Sequence, residues 1–146
     1  MQARLVFPVE PYGKGRPRSF VQGGRVILTT PPKTRQEEER IKTLARPQWW
    51  GPPWDCAIAL RVDAYFTIPR SWTKKRKGEA VGQPHTQKPD GDNILKLLKD
   101  SLNGLAWVDD KLIYDSRCIK WWAPTPRLVV ALKSFGDNGA PAGGLL

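Results

Sequence analysis

Between His85 and Ile113 the chain reads HTQKPDGDNILKLLKDSLNGLAWVDDKLI, a pattern that buries an apolar face only when coiled as a helix. Leu95, Leu98 and Leu102 recur at helical spacing, and Ile94 and Leu97 widen them into a stripe. The spacing predicts a helix over about Asn93–Asn103, capped by Asp92 or Asn93 and terminated at Gly104. Asp92, Lys96 and Asp100 then share the opposite, polar face, one turn apart. Asp90 and Asp92, two residues apart on the extended approach, point the same way. Gly104 turns the chain, and Trp107–Val108 anchor the return that brings Asp109 and Asp110 back towards them.

That knot of five aspartates belongs to a protein of formal net charge +10. The excess is one-sided. Residues 1–77 hold sixteen Lys/Arg against six Asp/Glu, whereas residues 78–146 hold eight of each. A basic front half draws in a phosphate backbone, which bare carboxylates would repel. A divalent cation between the carboxylates reverses the local sign and activates water. Two or three carboxylates suit a hard ion such as Mg²⁺ or Mn²⁺. With one histidine, His85, neither a zinc site nor a Ser-His-Asp triad is expected. Cys56 and Cys118 lack metal-ligand spacing and read as free thiols of a reducing cytoplasm. No apolar run reaches the roughly 20 residues that span a membrane, and the N-terminus has no signal-peptide core.

The rest of the chain alternates strands and helices. Residues 3–9 read as a strand broken at Pro11, followed by a Gly-, Pro- and cation-rich loop with a hairpin turning at Gly23–Gly24 and a strand near Arg25–Thr29. A charged helix is predicted over residues 34–46, ended by Pro47, with Ile41 and Leu44 as its apolar contacts. Trp49, Trp50 and Trp54 form a stiff connector expected in the core or a subunit interface. Residues 55–68 alternate as a long strand with Cys56, Ile58, Leu60, Val62, Ala64 and Phe66 on one face. The cationic stretch from Arg70 to Gln87 has no periodicity and reads as a mobile loop. Strands are expected at about 112–122 and 127–134, before a disordered tail over 135–146. The whole predicts one α+β domain over residues 1–134, with a mixed sheet and two main helices on one face.

Two cationic segments are candidates for contact with nucleic acid. In GKGRPRS, Lys14, Arg16 and Arg18 alternate with Gly and Pro, which lets backbone approach phosphates. In RSWTKKRK, Arg70, Lys74, Lys75, Arg76 and Lys77 surround a tryptophan suited to stacking on an exposed base.

The motifs, taken in order, resemble the RusA-type Holliday junction resolvases. GKGRPR, TTPPKT and FTIPRSWTKKRK resemble that family's N-terminal signature and basic loop, and HTQKPDGDN, KLLKDSLNG and VDDKLI resemble its catalytic core. The resemblance covers most of residues 5–122. It implies an α+β homodimer that makes paired nicks in four-way DNA with Mg²⁺ or Mn²⁺ during recombination and repair. By motif position it implies Asp90, Asp92 and Asp110 as metal ligands, with Asp109 sharing candidacy for the third place, and Lys96 as the catalytic lysine. Gly91 departs from the apolar residue expected there, leaving no packing side chain between two ligands. The rival readings are a metal-dependent nuclease for other branched DNA, a non-catalytic branched-DNA-binding module, and an RNA-binding protein.

Overall fold

The computed structural model describes residues 1–136. Asp137 onwards, and with it most of the expected tail, lies outside the described residues. Four strands make the main sheet in the order β1 (Gln2–Phe7), β6 (Arg127–Ser134), β4 (Ile58–Thr67), β5 (Ile113–Ala123). The β1/β6 and β6/β4 pairs are antiparallel and β4/β5 is parallel, so the sheet is mixed as expected. A separate hairpin pairs β2 (Arg18–Gln22) with β3 (Arg25–Thr29). Its two-residue turn requires positive φ at both positions, which Gly23 (59°) and Gly24 (74°) supply.

Period-two alternation gives the sheet one oily face. Leu5, Phe7, Ile58, Leu60, Val62, Leu128, Val130 and Leu132 point to that side and are buried. Helices α1 (Pro32–Ala45) and α3 (Gly91–Leu102) cover it, with α3 against β5 and α1 against β1. The leucine stripe drives this packing: Ile94, Leu97, Leu98 and Leu102 are all fully buried, each stabilising the fold by about 1.5–3 kcal/mol. α1 begins at Pro32, two residues before the expected Thr34, because proline's fixed φ suits a first helical position. Trp49 and Trp54 pack against the core, but Trp50 is 88% exposed and belongs to no core.

Within the stretch expected to be a mobile loop, Lys74–Ala80 instead forms a helix, α2, giving three α-helices rather than two among the described residues. Thr73 caps it by accepting from the Arg76 amide at 3.2 Å. The helix is fastened by stacking: the Arg76 guanidinium lies 3.6 Å from the Trp72 ring centre, and Trp72 packs edge-on against Trp122. The chain after it runs along β5 through the Trp122 amide to Gln83 and the His85 amide to Lys120. No helix among the described residues is long and apolar enough to cross a membrane.

Candidate active site

The two leading aspartates sit where β5, α3 and the N-terminal glycine loop meet. Asp90 occupies the N-cap of α3, with extended backbone, and Asp92 lies in the first turn. Asp92 is therefore inside the helix rather than its cap, and the pair flank a helix start rather than alternating along a strand. The Asp90 carboxylate makes no capping bond, although Asp is among the residues that favour this position. Both side chains are exposed. Helix partial charge at this end favours carboxylates.

The segment leading into Asp90 is clamped from two sides. On one, the Lys120 ammonium on β5 donates to the carbonyl oxygens of Gln87 (2.6 Å) and Pro89 (2.8 Å). On the other, the Gly13 backbone lies so close that an added Cβ would stand 2.6 Å from the Pro89 Cβ and 3.2 Å from the Asn93 Cβ. The Lys14 amide bonds the Asn93 carbonyl at 3.0 Å, and the Gly15 amide bonds the Thr34 hydroxyl at 3.1 Å. The glycines of GKGRPR thus bring backbone close against Pro89, Asn93 and Thr34. Tyr12, Gly13, Arg16, Lys88, Asp90 and Asn93 line a cleft of about 560 Å³.

Lys14 is turned away from that cleft. Its ammonium pairs with Asp100 and lies 3.9 Å from Glu38. The Asp100 hydrogen bond is the main reason its pKa is raised; burial opposes, and the charges of Asp100 and Glu38 add. Asp100 is thereby occupied, so it does not pair with Lys96, which stands exposed one turn beyond Asp92. Arg16 and Arg18 are exposed, as are Arg70, Lys74 and Lys75, while Lys77 is half-buried.

Asp109 and Asp110 differ in employment. Asp109 caps the 3-10 turn Asp110–Leu112 by accepting from the Lys111 amide at 2.9 Å. That bond holds its carboxyl below the usual range, with the Asp110 hydrogen bond and Lys111 charge assisting against slight desolvation. Asp110, half-buried, opens the turn that feeds directly into β5, the strand under α3. Among the described residues no group of three His, Cys, Asp or Glu side chains is placed to hold a metal ion, so Asp110 does not join Asp90 and Asp92 there.

Gly91 does not leave a hole. A Cβ there would meet the Cys118 Cβ at 3.3 Å, so the thiol side chain of β5 fills the space that a larger residue would take. Burial pushes the Cys118 thiol up to about 11, Asp63 and Asp92 add to this, and Lys120 opposes it. Such a thiol is protonated and inert at neutral pH. Both cysteines are free.

These elements are the ones the sequence motifs marked, and a comparison decides their kinship. A model of the family described as Endodeoxyribonuclease RusA matches residues 8–133. The chain belongs to the RusA endodeoxyribonuclease family. It is also similar to a protein of Bacillus subtilis (strain 168) named "Uncharacterized protein YqaN", with 32% identity over 133 residues, 85% of this chain and 90% of that one. The RusA match begins before the glycine loop and ends within β6, so it takes in the clamp, α3 and the Asp109–Asp110 turn.

Lys120 carried no usable signal in the sequence of this RusA chain, and Thr34 and His85 were legible only as members of TTPPKT and HTQKPDGDN, not by what they contact. His85 is buried, stacked on Phe66 with ring centres 3.7 Å apart and set against Trp122, and its Nδ1 has no partner among the described residues. Burial lowers its pKa below 6.5, the Lys120 charge adds, and its own backbone hydrogen bond opposes. The unfolded chain therefore takes up a proton near pH 6.5 that the folded chain accepts only at lower pH. Stability present above pH 6.5 is lost as pH falls below it. Thermal unfolding should show a melting temperature that drops between pH 7.5 and pH 5, and His85→Phe should flatten that drop.

Proposed function

We propose that this chain is a Holliday junction resolvase, a cytoplasmic homodimer that makes paired, symmetric nicks in four-way DNA during recombination and repair. The observation that carries the reading is the uncapped Asp90 carboxylate beside Asp92 at the start of α3, held by a clamp on either side and opening on the Arg16 cleft. Asp90, Asp92 and Asp110 are the candidate metal ligands; Asp109 is committed to its own turn and is the weaker candidate. Mg²⁺ takes one or two carboxylates and leaves its remaining positions to water and phosphate, so the exposed oxygen donors of Asp90 and Asp92 fit it, as they fit Mn²⁺. When bound, the cation would neutralise phosphate charge and lower the pKa of a water.

The chain's own groups supply the rest. Lys96, exposed and one turn beyond Asp92, offers a positive charge to the scissile phosphate or leaving oxygen. Arg16, Arg18, Arg70, Lys74, Lys75, Arg76 and Lys77 supply sequence-independent attraction to the backbone; Lys14, occupied by Asp100, contributes mainly by holding the loop. Two copies related by a two-fold axis present two equivalent sites to the approximate two-fold of a four-way junction.

The test is cleavage of an end-labelled synthetic junction with Mg²⁺, with Mn²⁺ and with EDTA, beside a flap, a fork and a linear duplex. Paired, metal-dependent nicks confined to the junction are expected. Nicks of equal frequency in flaps or forks favour a nuclease for other branched DNA, and tight binding with no cut in either metal favours a non-catalytic module. Lys120 gives a finer check. Lys120→Met removes the clamp on the Gln87 and Pro89 carbonyls while keeping the stem, and should raise the Mg²⁺ concentration for half-maximal cleavage by about 10- to 100-fold. Junction binding measured in EDTA should not change.

A further inference from the structure

The β2–β3 hairpin has an apolar side that nothing among the described residues covers. Register places Ser19 opposite Leu28 and Val21 opposite Val26 on one face, and Phe20 opposite Ile27 on the other. Val21, Val26 and Leu28 are 73%, 70% and 70% exposed, and Phe20 is 46% exposed. A lone two-stranded hairpin is marginal in water, and a contiguous exposed apolar surface marks an interaction site. The hairpin also begins beside the cleft: Arg16 lines it with Asp90, and β2 starts two residues later.

We propose that this hairpin probes the branch point of DNA, its apolar side resting on unstacked bases and sugars while Arg18 and Arg25 hold the flanking phosphates. The inference rests on the nuclease reading and names the feature of the substrate that is recognised. Charge selects DNA over a second copy of the chain. From Pro11 to Gln36 there are six cations and no acidic residue, so pairing two hairpins would bring like charges together, whereas DNA neutralises them. Structure selects the branch point over plain duplex. Apolar wedges enter DNA by unstacking a base step, which costs least where stacking is already interrupted. At roughly 3.3 Å per residue, each five-residue strand reaches about 16 Å, enough to extend from the cleft into an opened junction centre.

The test is a triple variant, Val21→Thr with Val26→Thr and Leu28→Thr. Threonine keeps the β-branched shape that strands favour, so the hairpin is retained while its side becomes polar. Binding to a four-way junction and to linear duplex is measured in EDTA, with 2-aminopurine at the branch point reporting unstacking. Wild type should raise the fluorescence; the variant should not. The variant should lose at least about tenfold in junction affinity and keep its duplex affinity. Unchanged junction affinity and fluorescence would overturn the proposal. So would a change from dimer to monomer in light scattering, which would identify a second copy as the occupant. Because these readings are made without metal, wild-type protein that unstacks the junction yet never cuts it in Mg²⁺ sinks the nuclease reading alone. A cutting wild type matched in every respect by the variant sinks the hairpin reading alone.

Discussion

Asp92→Asn is expected to abolish junction cleavage, by about 10³-fold or more, while leaving junction binding intact. The amide keeps the size and shape of the side chain but removes the charge that the proposed role as ligand of a hard cation requires. A 10³-fold loss corresponds to about 4 kcal/mol of transition-state stabilisation. The cost to folding is small by comparison. Asp92 is exposed in the first turn of α3, where losing a favourable interaction with the helix partial charge costs about 0.3–1 kcal/mol. Binding should persist because the cations proposed to attract the backbone, among them Arg16, Arg18 and Arg70, lie elsewhere in the chain. Removing a negative charge beside the DNA path weakens none of these contacts. Cleavage rates in Mg²⁺, set against gel-shift affinities in EDTA, separate the two properties. A folded variant that loses binding together with cleavage, or that cuts at the wild-type rate, would remove Asp92 from its proposed role.

What the sequence made legible follows from the range of the physics involved. β4 was readable because its alternation is local: Ile58, Leu60, Val62, Ala64 and Phe66 all turn to one buried face. α3 was readable for the same reason, through its leucine stripe. α2 was not. Its first turn carries Lys74, Lys75, Arg76 and Lys77, charges that oppose the helix partial charge at that end, and it has no apolar period. It forms because Thr73 caps it and because Trp72 carries the stacked Arg76 against Trp122, a residue of a distant strand. The aspartates were legible as a motif but their employment was not. Adjacent Asp109 and Asp110 look alike until one of them is seen accepting the Lys111 amide. Gly91 misled as a departure from pattern, since the Cys118 side chain that fills its space belongs to β5. Lys120 reads as one more strand cation until its ammonium is found on two carbonyls of the Asp90 approach. In each case the missing information was a tertiary neighbour.

The glycine loop shows how far such a neighbour matters, and Gly13→Ala should expose it. A Cβ at residue 13 would stand 2.6 Å from the Pro89 Cβ and 3.2 Å from the Asn93 Cβ. The first is closer than such atoms approach, and neither neighbour is the swinging tip of a flexible side chain. Pro89 belongs to a rigid ring joined to Asp90, and Asn93 is part of the first turn of α3. The Lys14 amide bond to the Asn93 carbonyl and the Gly15 bond to Thr34 hold the glycine loop in place from its own side. Relief therefore has to come from movement of the Pro89–Asp90 segment against the Lys120 clamp. Overpacking of this kind costs about 1–3 kcal/mol, which should appear as a lowered melting temperature with the native circular dichroism preserved. The larger effect should fall on catalysis. A displacement of about 1 Å in a group that positions the reacting centre costs on the order of 10²-fold, so cleavage per folded molecule should drop by about that much. Junction binding in EDTA should remain near wild type. If stability falls while cleavage per folded molecule does not, Gly13 serves packing alone and the clamp does not set the position of Asp90.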